Sequence, residues 1–172
     1  PYNISNNAFL DISTLQSSLM FKWYSKVNKS MLEILQPASF MMEVGKIVIA
    51  NELIDQQKEN NFKEALAMIK TPDALSLLEK EFVGFNNEEI TAKIFEQWNL
   101  EGELVESIHF SNDANGASDH IKPYAAALSV VKNSVHIFGQ FDDASIARAL
   151  NLIETYGLAS EPFIQTIEQF KQ

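Results

Sequence analysis

Few residues in this chain could do chemistry, and most of them stand far apart. The three histidines, His109, His120 and His136, show no short ligand spacing. The first two flank a loop and the third falls far along the next predicted helix, so no shared metal site is expected from them. Cysteine is absent, which removes thiol catalysis, zinc fingers, iron–sulfur ligation and disulfides together. No serine sits in a glycine-flanked elbow, and no glycine loop could cradle a phosphate. Glu88 and Glu89 are adjacent and point to different faces of a helix, so placement in a positive first turn explains them better than shared acid–base work.

The segment that raises a chemical question is FMMEVGKIVIANELI, from Phe40 to Ile54. Its apolar residues extend around most of a helical cylinder, which predicts one core helix through the whole stretch. Within it Glu43 and Lys46, three apart, can reach one another. Gly45 costs such a helix about 1 kcal/mol relative to alanine, and close approach by a neighbouring helix would justify it.

The elements that must position these residues are nearly all helices. Glycine and proline are scarce and apolar residues recur at helical spacing, so the expected fold class is all-α, a compact multi-helix arrangement with essentially no sheet. Thr71 before Pro72 predicts an N-cap, and Gly84 the end of that helix. Asn86 or Asn87 would cap the next helix, whose stripe is Ile90, Ile94, Phe95 and Trp98; a break near Asn99 precedes a second stripe of Leu100, Leu104 and Ile108. Asn112 to Ser118 reads as a loop before a long helix through Leu128, Val131 and Val135, with His136 at its edge. Asp142 or Asp143 caps the following helix, Gly157 ends it, and Ser160 with Pro162 starts the last one. Phe9 to Leu35 has the apolar spacing of one or two helices, whereas residues 1–7 read as an irregular N-terminus.

A length of 172 residues suits a single domain, residues 1–172, with a core of its own. No apolar run approaches the roughly 18 residues of a membrane helix, and no leader pattern is present, so a cytoplasmic protein with no membrane partner is expected. The net charge of −10 opposes phosphate-backbone contact, so nucleic acid is not an expected partner. Acidity concentrates between Glu79 and Asp113, including Glu79, Glu81, Glu88, Glu89, Glu96, Glu101, Glu103 and Glu106. This reads as a solvated acidic face, and in functional terms as a docking surface for a basic protein partner.

Several of these segments together resemble the HDOD domain, an output-domain relative of the HD-type metal-dependent phosphohydrolases. FMMEVGKIV, residues 40–48, is similar to the family's stretch of apolar, apolar, His, Asp, apolar, Gly, Lys, with Gly45 and Lys46 retained and Met42 and Glu43 in the His and Asp places. NEEITAKIFEQWNLEGELVESIHFSND, from Asn87 to Asp113, resembles the family's histidine-led helix, its tryptophan-leucine turn and its closing histidine pair. Trp98, Leu100 and Ile108 match there; Asn87 stands at the leading histidine position, with Ser111 and Asn112 at the closing pair. Phe21 to Val27 resembles the stretch holding the first metal histidine, with Trp23 retained and Ser25 at about the histidine position. The resemblance covers roughly Leu19 to Leu158, which implies the later, HD-like portion of such a domain and an N-terminal helical portion outside this chain.

The resemblance implies a relic pocket made of Ser25, Met42, Glu43, Lys46, Asn87, Ser111 and Asn112. An HD phosphohydrolase holds its metals with clustered imidazoles and carboxylates, and every aligned histidine place here holds another residue. The expectation is therefore no catalytic residue, no metal and no cofactor. What remains is a non-catalytic module of bacterial signal transduction, working through protein–protein contacts. The alternatives are a divergent metal-dependent phosphohydrolase, and a small-ligand sensor holding a nucleotide in the former metal pocket.

Overall fold

Short polar side chains decide where the helices begin. The computed structural model describes residues 1–172 and starts with α1 (Asn6–Val27), where the Ser5 hydroxyl accepts from the Ala8 amide at 3.0 Å. A 3-10 turn, Lys29–Met31, leads into α2 (Leu32–Met41), followed by α3 (Gly45–Asp55) and α4 (Glu59–Leu66). Thr71 caps α5 (Pro72–Val83), with proline at its first position, and Gly84 closes it at φ +88°, a left-handed conformation that suits glycine. Asn86 caps α6 (Asn87–Gln97), and α7 (Gly102–His109) follows after a turn in which Asn99 has φ +57°. A 3-10 turn, Ala114–Gly116, precedes α8 (Lys122–Ser134); Asp142 then caps α9 (Asp143–Thr155), and α10 (Ser160–Lys171) ends the chain. The all-helical class expected from the sequence is the fold observed. No helix is long and apolar enough to cross a membrane.

Four features differ from the sequence reading. Phe40 to Ile54 is not one helix: α2 stops at Met41 and α3 starts at Gly45. Backbone groups in between are claimed by α6, because Asn87 Nδ2 donates to the Met42 carbonyl at 2.8 Å and the Gly45 amide donates to Thr91 Oγ1 at 2.8 Å. Nor is the stretch apolar core all round. Ile49 and Leu53 on α3 are fully buried towards α4, α5 and α6, while Ile47 and Ile54 on its other face, and Phe40 on α2, are exposed.

The long helix expected through Val135 ends at Ser134. Val135–His136 (β1) instead pairs antiparallel with Gly139–Gln140 (β2), so His136 is a strand residue rather than one at a helix edge. The Val135 carbonyl is held by Gln16 Nε2 at 2.9 Å, and the Ser134 carbonyl accepts from the Phe141 amide, which fixes the chain's exit from α8. Trp98, placed in the α6 stripe by its spacing, is 66% exposed because α6 ends one residue earlier. At the N-terminus the irregular stretch is shorter than residues 1–7, and Tyr2 is buried.

The main core gathers Trp23, Tyr24, Phe95, Ile108, Val131 and Phe163. A second core gathers Tyr2, Ile49, Leu53, Phe62 and Leu75. Helix α8 is surrounded: every residue from Ala125 to Ser134 is buried, against α1, α2, α7 and α9. Charged groups on α8 therefore face protein rather than water.

Gly45 is where α3 and α6 come closest. A Cβ there would lie 2.5 Å from Ile90 Cγ2, 2.6 Å from the Asn87 carbonyl oxygen and 2.6 Å from Thr91 Oγ1, and the carbonyl is backbone that cannot swing away. Gly45→Ala is expected to lose about 2 kcal/mol in urea unfolding, as overpacking does. Gly102→Ala, with nothing within 4 Å of its added carbon, should leave the midpoint unchanged or slightly raised.

Candidate functional site

The start of α6 carries a capping box: Asn86 Oδ1 accepts from the Glu89 amide at 2.9 Å, and Glu89 Oε2 accepts from the Asn86 amide at 3.2 Å. This fixes Asn87 and Glu88 in the first turn, where the helix dipole favours negative charge. Helices α3, α5 and α8 close over that turn and bury it. Glu88, which the sequence reading placed on a solvated acidic face, is 2% exposed, and Glu79, placed there too, is fully buried.

The buried charges alternate in sign. Lys132 on α8 lies 2.5 Å from Glu88 Oε1 and 3.6 Å from Glu43 Oε1. Lys46 lies 2.5 Å from Glu43 Oε2 and 3.9 Å from Glu79 Oε2. The order is thus Glu88, Lys132, Glu43, Lys46, Glu79, with each ammonium between two carboxylates. Neutral groups add hydrogen bonds to Glu79, Glu88 and Lys132, while Glu43 Oε1 has no hydrogen-bond partner. Tyr2 donates its hydroxyl to Glu79 Oε2 at 2.7 Å, and the Asn87 amide donates to Glu79 Oε1 at 3.1 Å. Ser76 donates to Glu88 Oε2 at 2.9 Å and accepts from Asn112 Nδ2 at 2.6 Å, while Lys132 also donates to Ser111 Oγ at 3.2 Å. The tip of the β1–β2 hairpin, His136 to Phe138, covers the cluster and leaves a cavity of about 10 Å³, room for one water at most.

Burial and charge compete at each group. Burial raises the Glu88 carboxyl, but Lys132 and Lys46 outweigh it and bring it down to about 2. For Glu43 burial again pushes upward, and the same two ammonium groups carry it below the ordinary range. Burial works to lower Lys46, and Glu43, Glu79 and Glu88 together raise it. Glu79 goes the other way: burial, helped by the Glu88 charge, lifts it to about 7 against Lys46 and its two hydrogen bonds. His136 is lowered to about 4 by burial and by Arg148, whose Nη2 donates to its Nε2 at 2.9 Å.

Of the residues singled out in the sequence, the structure brings together Glu43, Lys46, Asn87, Ser111 and Asn112, and Met42 through its carbonyl. Ser25 is not among them. It lies in the last turns of α1 beside Lys26, which reaches across to Thr166 on α10. The reading missed Lys132, Glu79, Glu88, Tyr2 and Ser76. A signal existed for two of them: Lys132 interrupts the small and apolar run from Ala125 to Ser134, and Glu79 shares the helical stripe of Leu75, Leu78 and Phe82. The histidines stay apart, with His109 and His120 exposed and only His136 lining the cavity.

Removing one partner of a buried pair strands the other. Lys132→Met is expected to cost about 3 to 5 kcal/mol in urea unfolding, and the double variant Lys132→Met/Glu88→Gln to be more stable than the single one. The pH dependence follows from Glu79. Its folded value of about 7 stands above its ordinary 4.5, so the folded state holds the extra proton between them, and stability falls as pH rises through that window. Glu88 acts below it, losing its contribution as pH falls from 4.5 toward 2, and His136, also lowered, adds stability as pH rises from about 4 to 6.5, opposite in slope to Glu79. Subtraction isolates Glu79: across pH 4.5 to 7, the stability of Glu79→Gln relative to the parent chain should rise steadily.

Comparison with known proteins gives this arrangement a family. No curated protein matches the chain. Among solved structures, a virulence factor from Campylobacter jejuni subsp. jejuni has a TM-score of 0.78 at 22% identity, over 96% of this chain and 63% of that one. A candidate phosphohydrolase from Shewanella amazonensis SB2B has a TM-score of 0.73 at 19% identity, over 97% of this chain and 60% of its own. The chain therefore spans less than two thirds of either protein, and at these identities the likeness is one of fold. The HDOD domain family matches residues 11–114, well over half of the sequence. The chain belongs to the HDOD domain family.

Proposed function

We infer that this chain is a non-catalytic regulatory module that works by binding another protein. The observation that carries the reading is the pair of ammonium groups, Lys46 and Lys132, seated among Glu43, Glu79 and Glu88. A divalent cation needs lone pairs converging on one point, and an ammonium has none to give. These lysines occupy the region between the carboxylates and neutralise much of the charge that would attract a metal. The residues present do not fit the metal that HD-type hydrolysis requires, and no step of hydrolysis is derived through one.

The small-ligand alternative meets a question of space. A pocket for a nucleotide needs roughly 300 Å³ or more, whereas the cavity inside the cluster is about 10 Å³ and roofed by the hairpin. Contact through the outer surface is the remaining way for the molecule to transmit a state, in line with the signalling role that the family resemblance implied. The fold likeness to a candidate phosphohydrolase supports the competing, catalytic reading.

Elemental analysis of the purified chain, paired with a phosphodiester hydrolysis assay in added manganese, separates the two. The expected result is no manganese, iron or zinc near stoichiometry and no turnover above a Lys132→Met control. A stoichiometric metal with turnover abolished by Glu43→Gln would overturn the reading. Nucleotides are expected to give no thermal shift, whereas a ligand present at a hundredfold excess over its Kd would add about 2.7 kcal/mol.

A further inference from the structure

Helices α6 and α7 leave between them an open groove of about 800 Å³, on the outer side of the helix whose first turn builds the buried cluster. Its floor is apolar, from Ala92, Leu100, Val105 and Phe110. Its walls carry Glu89, Glu96 and Glu106, with Lys93 and His109 as the only groups able to hold positive charge. Lys80 occupies Glu89 at 2.6 Å, but Glu96 and Glu106 have no ion-pair partner, nor has Glu101 in the turn between the helices. That turn also holds Trp98, 66% exposed, next to Asn99 and Leu100 at the end of the groove.

The geometry points to this groove as the docking site for a basic amphipathic segment of another protein, with apolar side chains on the floor and arginine or lysine against Glu96 and Glu106. The proposal rests on the reading of the chain as a contact module and names the chemistry of its partner. Charge complementarity selects the occupant. Unpaired like charges at the walls repel one another, and a cationic segment relieves that repulsion while the chain's net charge of −10 draws it in. A second copy of the chain brings the same negative field and is disfavoured. Nucleic acid is excluded on the same ground. A small cation would satisfy the walls but leave the apolar floor unused, whereas an amphipathic helix in a groove uses both. The exposed Trp98 face adds a place for a guanidinium to stack.

The test uses the full chain and a fluorescein-labelled helical peptide of leucine, alanine, lysine and arginine, followed by anisotropy at low and physiological salt. Saturable binding that weakens as salt rises is expected. The double variant Glu96→Gln/Glu106→Gln should lose about fivefold in affinity, in keeping with two exposed charge contacts. The same charge change on α10, Glu161→Gln/Glu168→Gln, should lose much less. Equal losses in both variants, or no binding by the parent chain, would overturn the proposal. So would a dimer in sedimentation that Leu100→Asp dissolves, which would assign the groove to a second copy. The metal and hydrolysis result is a separate readout: turnover with peptide binding retained sinks the non-catalytic reading alone, and an inert chain that ignores the peptide sinks only the groove.

Discussion

Five charges taken out of water must satisfy one another, and that requirement governs how this molecule is put together. Glu88, Lys132, Glu43, Lys46 and Glu79 come from α6, α8, the α2–α3 turn, α3 and α5. No two of them sit on the same element of regular structure, so the cluster exists only when those segments are in register. A displaced helix would leave a carboxylate or an ammonium unpaired in a low-dielectric interior, at several kcal/mol. The neighbouring polar groups, Tyr2, Ser76, Asn87, Ser111 and Asn112, extend the same demand to the N-terminal arm and to the loop after α7.

The same arrangement explains local features that would be odd in isolation. The α2–α3 break leaves backbone groups that would be orphans, and Asn87 and Thr91 take them up. Close approach of α6 to α3 is needed for that, and only a residue without a side chain permits it at position 45. Charge balance within the cluster is uneven, with three carboxylates against two lysines, and the excess falls on Glu79, the carboxylate farthest along the alternating order from Lys132 and the one whose proton is held toward neutral pH. On the proposed reading the interior is thus committed to structure, and exchange with partners is left to the outer faces of α6 and α7, where carboxylates stand unpaired.

Sequence patterns reached some of this directly. Thr71–Pro72, Gly84 and Gly157 are local signals, because a cap or a left-handed stop is decided by atoms a few residues apart, and each stands where its chemistry placed it; of the paired candidates Asn86 or Asn87 and Asp142 or Asp143, the structure uses Asn86 and Asp142. The Glu43–Lys46 pair was legible for the same reason, being three residues apart. Lys132 pairs with Glu88 across 44 positions and Tyr2 with Glu79 across 77, separations over which no periodicity carries information. Glu88 was misread because a glutamate in a helix's first turn is usually solvated, and nothing local marks one that other helices will cover; Glu79 was misread because the acidic run around it outweighed the apolar stripe it shares with Leu75, Leu78 and Phe82.

Composition and spacing by themselves settled that the chain is helical, where most helices begin and end, and that no thiol chemistry is possible. The family motifs pointed to seven residues, of which all but Ser25 lie in or around the cluster. Tertiary structure alone decided that two lysines stand between the carboxylates, that the hairpin closes over them, and that Trp98 faces outward. Those outcomes depend on which faces of distant helices meet, and burial of a charge is a property of the assembled surroundings rather than of the residue.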